Sequence, residues 1–261
     1  MSWFKALILG IIQGLTEFLP ISSSGHLELG KAIMEVPEES LTFTVVVHAA
    51  TVCSTIVVFR KDILDILRNA FKFQWNEETQ YIVKILLSAV PVLLVGLLLE
   101  DVVEGFFNGK LLLVGCMLLI TATLLGFTFY AKSKNKEISY RDAFIIGIAQ
   151  ACAVMPGISR SGATIATALL LQNDKEKAAR FSFLMVLIPI LGKVALDIIS
   201  GDMAQETTHV APLIWGFIGA FIFGLIACKL MIQLVKRSKL IYFAIYCLII
   251  GSITIIFSLA G

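Results

Sequence analysis

EFLPISSSGH, running from Glu17 to His26, and PGISRSGAT, running from Pro156 to Thr164, are polar strings set in an otherwise apolar chain. A shift of 137 positions superposes Gly10, Gln13, Ile21, Ser22, Ser24 and Gly25 on Gly147, Gln150, Ile158, Ser159, Ser161 and Gly162 without a gap. Self-similarity at a fixed period marks an internal repeat. The sequence therefore divides into copies of about 1–138 and about 139–261, read as halves of one membrane domain.

Around these strings the chain is 58% hydrophobic and 15% charged, with a mean hydropathy of +0.90. Soluble domains carry roughly 25% charged residues, so a bilayer is the expected solvent. Six apolar runs have spanning length: Thr42 to Phe59, Ile82 to Leu99, Leu111 to Tyr130, Phe181 to Ile199, Pro212 to Ile232 and Leu240 to Leu259. Trp3 to Leu19, Leu27 to Met34, Ala143 to Met155 and Ala163 to Leu171 are too short or too polar to span comfortably. Gln13 and Glu17 interrupt the N-terminal run and no small-residue cleavage site follows, so the chain reads as mature from Met1. Five scattered cysteines without CxxC spacing argue against a disulfide framework or a zinc site. The net charge of +2, with no basic cluster interleaved with aromatics, gives no sign of a nucleic-acid partner.

The loops alternate in charge. Arg60, Lys61, Arg68 and Lys72 follow the first span, Asp101 and Glu104 the second, and Lys132, Lys134, Lys136 and Arg141 the third. Asp202 and Glu206 follow the fourth, and Lys236, Arg237 and Lys239 the fifth. Lys/Arg-rich loops are cytoplasmic, which puts both termini outside. The short pieces must then enter and return on one face, Trp3 to Met34 from outside (with Glu38 outside) and Ala143 to Leu171 from the cytoplasm. The expected fold is thus all-α and polytopic: six transmembrane helices and two re-entrant helical hairpins in two inverted-topology repeats.

Hairpins from opposite faces would meet near the midplane with helix N-termini at Ser22 to Ser24 and Ser159 to Ser161, an anion-binding arrangement. Gly25 and Gly162 permit close approach. Arg160 at membrane depth needs a partner or a function, at roughly 2.5–3.5 kcal/mol if unpaired, and Glu17 is the obvious partner. A structural Arg160–Glu17 pair is the simpler alternative; it leaves the serines and His26 idle. Gln13 and Glu17 share one helix face, which suits a divalent cation or a hydrogen-bond network. Ser23 and His26, three apart, suit a nucleophile and its base, although serines also cap helices and His26 could bond a carbonyl. His48 and the Lys193–Asp197 spacing are assigned no catalytic role, Pro91 and Pro189 are read as helix kinks, and Glu28 and His209 are left unassigned.

The two strings resemble the paired signatures of the undecaprenyl-pyrophosphate phosphatase family linked to bacitracin resistance, and the similarity covers essentially the whole chain. The resemblance implies hydrolysis of undecaprenyl pyrophosphate to undecaprenyl phosphate and inorganic phosphate, recycling the lipid carrier for cell-wall synthesis, in a bacterial plasma membrane with the site open to the extracytoplasmic side. It carries function to Glu17, Ser23, His26, Arg160 and Thr164. Ser23 would attack phosphorus with His26 as base, or His26 would attack itself. Ser22, Ser24, Gly25, Ser159, Arg160, Ser161, Gly162 and Thr164 would bind phosphate. Mg2+ or Ca2+ would rest on Glu17, with Gln13 beside it and the substrate's oxygens completing the shell. A homodimer is admitted as its assembly. The rival class is a lipid-phosphate transporter or flippase, because inverted repeats with midplane hairpins are also a transporter architecture.

Overall fold

The computed structural model describes all residues except 37–40, 73, 100–104, 106–109, 133, 201–209 and 261, and the side chains of 41, 197, 198, 200 and 260. Glu38, Asp101, Glu104, Asp202, Glu206, His209 and the Asp197 side chain of the Lys193 pairing therefore lie outside the described residues. Everything regular among the described residues is helical, and a single bridge links Lys136 to Asn173.

Helices α1 (Trp3–Phe18) and α2 (Ser23–Met34) form the first hairpin. They are followed by α3 (Leu41–Val58), α4 (Arg60–Ala70), α5 (Glu77–Leu98) and α6 (Leu111–Phe127), the last extended by a 3-10 turn at Thr128–Tyr130. The second hairpin is α7 (Tyr140–Cys152) with α8 (Arg160–Leu170), and α9 (Lys175–Met185), α10 (Leu187–Ser200), α11 (Val210–Lys236) and α12 (Ile241–Ala260) complete the chain. Among the described residues five helical stretches, α9 with α10 counted as one, are long and apolar enough to cross a bilayer, and α3 with α4, bent by 77°, passes as a sixth. The protein is a multi-pass membrane protein, and all four short pieces are helices rather than coil.

Two details differ from the sequence reading. The cationic stretch after the first span is the helix α4, because Ile66 packs inward, Asp62 lies in its first turn and Arg68 in its last, complementing the helix dipole. Asp62 also binds Arg180 of α9 at 2.8 Å. The fourth span begins at Lys175, six residues earlier than expected, because Asp174 caps it by accepting from the Glu176 and Lys177 N–H groups at 3.0 Å. That span is interrupted at Val186, three residues before Pro189, whose ring nitrogen has no hydrogen for the Met185 carbonyl. Pro91, by contrast, lies inside an uninterrupted α5.

Each hairpin packs on a span from the other half. Gly10 and Gly14 of α1 face Gly216, Ala220 and Gly224 of α11, and a Cβ on Gly10 would stand 2.2 Å from the Gly216 oxygen. Gly147 of α7 lies as close to α5, its added Cβ 2.4 Å from the Ser88 oxygen. In lipid the helices gain little from apolar burial against each other, so such backbone contact between small residues carries the packing. Ser139 starts α7 with a capping box, accepting from the Asp142 N–H at 3.1 Å while its own N–H donates to Asp142 at 3.0 Å. Lys136 anchors the same carboxylate at 2.8 Å.

Candidate active site

Helix α1 ends because Pro20 follows: Leu19, the residue before it, is forced into extended backbone at φ −69° and ψ 141°. Glu17 and Gln13 therefore stand on one face of the last turns, 9% and 0% exposed. The chain next turns through Ser22, whose φ of 71° is strained for a residue with a Cβ. Two hydrogen bonds hold that turn. The Ser22 hydroxyl accepts from the Gly25 N–H at 3.2 Å, capping α2, and from the Gly157 N–H at 3.1 Å, clasping the second hairpin.

The second tip turns at Gly157, with φ 101°, where a Cβ would lie 2.5 Å from the Val114 oxygen, so no side chain fits. Thr121 of α6 donates to the Gly157 carbonyl at 2.9 Å and accepts from the Ser159 N–H at 3.0 Å. Ser159 caps α8, accepting from the Gly162 N–H at 3.0 Å. A methyl on Gly25 would press on Gly157 at 3.1 Å and one on Gly162 on Pro20 at 3.3 Å, so both glycines serve the close approach expected of them.

Across this junction the Arg160 Nη2 donates to Glu17 Oε1 at 2.6 Å and Nη1 donates to the Ser182 carbonyl at 3.3 Å. Glu17 Oε2 accepts from the Ser23 hydroxyl at 2.8 Å and from Gln13 Nε2 at 3.1 Å. One carboxylate thus gathers a guanidinium, a hydroxyl and an amide from both hairpins. With the Arg160 and Glu17 side chains only 16% and 8% exposed, the pair lies where water screens it poorly. The Gln13 Oε1 atom is buried with no hydrogen-bond partner.

The expected Ser23–His26 pairing is not the one formed. Helical side chains lean toward the N-terminus, so Ser23, first in its helix, reaches back over the turn to Glu17. His26 instead places Nδ1 2.8 Å from the Ser22 carbonyl and Nε2 2.8 Å from the Tyr246 hydroxyl. Several expected phosphate ligands are likewise engaged in joining the hairpins. Ser161 donates to the Leu19 carbonyl at 3.3 Å, Ser24 meets Ser22 at 3.3 Å, and Thr164 is fully buried, bonded to the Arg160 carbonyl at 2.9 Å and to Ser182 at 2.6 Å. Ser22, Ser159, Ser161 and Thr164 thus hold the hairpin tips to each other and to their neighbours, while Ser23 and Arg160 both meet Glu17.

Sequence reasoning missed Tyr246 and Ser182, which lie in apolar spans far from either string. His48, of which no role was expected, is bonded through Nδ1 to the Thr44 carbonyl at 2.8 Å. Among the described residues no three His, Cys, Asp or Glu side chains form a metal-binding group. The donors that could receive a cation are the Gln13 Oε1 atom and Glu17, all oxygen, the type that Mg2+ and Ca2+ take.

A model of the family described as Bacitracin resistance protein BacA matches residues 6–253. A curated protein of Christiangramia forsetii named undecaprenyl-diphosphatase is 59% identical over 263 residues, covering 100% of both chains. One of Bacteroides fragilis with the same name is 57% identical over 263 residues, covering 99% of each. A more distant one, from Methanosphaera stadtmanae and also named undecaprenyl-diphosphatase, is 38% identical over 272 residues and 97% of each.

Proposed function

The chain belongs to the Bacitracin resistance protein BacA family, and we propose that it hydrolyses undecaprenyl diphosphate to undecaprenyl phosphate and inorganic phosphate. That reaction recycles the lipid carrier for cell-wall synthesis and underlies bacitracin resistance. The observation that carries the mechanism is the Ser23 hydroxyl bound at 2.8 Å to a carboxylate that Arg160 grips from the other hairpin.

A terminal phosphate brought between the hairpin tips competes with Glu17 for Arg160, because a guanidinium binds phosphate through two parallel charge-assisted bonds. Glu17, relieved of its counter-ion, becomes the group that takes the Ser23 proton. The Ser23 oxygen attacks the terminal phosphorus, the bond to the bridging oxygen breaks, and undecaprenyl phosphate departs. Arg160 and the dipole at the α2 N-terminus stabilise the charge on the phosphoryl oxygens. Water then attacks the phosphoserine, giving its proton to His26, while the proton on Glu17 returns to the Ser23 oxygen and phosphate leaves.

A divalent cation, Mg2+ or Ca2+, would be held by Gln13 Oε1 and Glu17. Bound there, it supplies positive charge against the phosphates. The prenyl tail would lie along the apolar spans; the alternation of basic and acidic loops supports termini outside, and the family resemblance implies a site open to the extracytoplasmic side.

The test is release of inorganic phosphate from undecaprenyl diphosphate by purified protein with Mg2+ or Ca2+, alongside lipid movement across vesicles. Phosphate release by the native chain supports the hydrolase. Lipid movement with no phosphate released would assign the chain to a transporter instead.

A further inference from the structure

His26 is held at both ring nitrogens, and the two partners differ in kind. The Ser22 carbonyl, 2.8 Å from Nδ1, can only accept, so Nδ1 carries the ring hydrogen of the neutral imidazole. Nε2 is then the lone-pair nitrogen, and the Tyr246 hydroxyl at 2.8 Å donates to it. The two rings also stack, with centroids 5.6 Å apart and planes 15° from parallel. Tyr246 comes from α12, and its neighbour Cys247 sets Sγ 3.8 Å from the Pro20 carbonyl, so the same helix turn grips the hairpin at a second point.

We propose that Tyr246 positions His26 and passes it its proton in the hydrolysis proposed above, on which this inference rests: the Ser22 carbonyl fixes the Nδ1–H tautomer, and the Tyr246 hydroxyl holds Nε2 and with it the orientation of the ring. A phenylalanine would fill the same stack, so the hydroxyl is what the arrangement adds. A phenol also both donates and accepts. Nε2 has a single lone pair, so the proton taken from water reaches it through this hydroxyl: the phenol's proton moves to Nε2 as the water's proton moves to the phenol oxygen, which then accepts from Nε2–H and keeps the ring in place through both protonation states. Nothing in either sequence signature points to this residue, because it lies 220 positions from His26.

Tyr246→Phe keeps the ring and removes only that oxygen. The expected result is a kcat about tenfold below native, the equivalent of one lost hydrogen bond, with KM within about twofold and an unchanged Tm. The chain has 3 histidines, so the His26 signals in a 15N imidazole spectrum are assigned by their loss in His26→Asn. In Tyr246→Phe the His26 Nε2 signal should move while Nδ1 stays protonated. A native kcat, or an unmoved Nε2 signal, overturns the proposal. If the native chain releases no phosphate, the hydrolase reading fails and the spectrum alone judges the tether, an unmoved signal again rejecting it.

Discussion

Arg160 of α8 and Glu17 of α1 stand 2.6 Å apart although 143 positions separate them, and their contact ties the tips of two helical hairpins into one site. The same carboxylate holds the Ser23 hydroxyl. Structure and proposed chemistry thus depend on one pair of side chains.

Removing one partner leaves a charge buried without compensation. Arg160→Ala should lower stability by about 3–5 kcal/mol, and Arg160→Ala with Glu17→Gln should recover part of that loss, both read by thermal unfolding in detergent. An Arg160→Ala protein as stable as native would show that the pair contributes nothing to the fold.

Ser23 as nucleophile predicts a covalent phosphoserine. Acid quenching during turnover of substrate labelled in its terminal phosphate should leave acid-stable label on Ser23, and Ser23→Ala should lose both the label and at least about a hundredfold in kcat. Acid-labile label that survives Ser23→Ala and vanishes in His26→Gln would reassign the attack to His26.

The tip glycine is a conformational requirement. Gly157→Ala asks alanine to adopt φ 101° and puts a methyl 2.5 Å from the Val114 oxygen. A loss of about 1–3 kcal/mol in unfolding free energy is expected from the backbone conformation alone. Native stability for that variant would mean that the tip repacks freely.

If Gln13 Oε1 is a cation ligand, Gln13→Ala should raise the Mg2+ or Ca2+ concentration giving half-maximal activity by about tenfold or more. Full activity of chelator-treated native protein would remove the cation from the account.

How much of this the sequence disclosed depends on the kind of signal. The apolar runs were visible because spanning length is a composition effect. The hairpins were visible because four pieces are too short or too polar to span and the alternating loop charges require each pair to return to the face it entered. The Arg160–Glu17 pair followed from matching a lone cation to a lone anion at one depth. Helix α4 was hidden under its charges, which read as a loop although Ile66 and the placement of Asp62 and Arg68 suit a helix. Spacing of three between Ser23 and His26 suggested a pair, but spacing does not know that the first side chain of a helix leans back across the preceding turn. Thr164 matched a motif, yet its hydroxyl serves Arg160 and Ser182. Tyr246 left no local trace, since its partner is brought to it only by tertiary packing.

The most direct measurement is a double-mutant cycle on kcat/KM for phosphate release from undecaprenyl diphosphate, using Glu17→Gln, Arg160→Ala and the combined variant. Groups that act as one unit are strongly non-additive, so the combined variant should be no more than about tenfold worse than the poorer single variant. Losses that multiply in full would mean that the two hairpins contribute independently, and the shared site would be wrong.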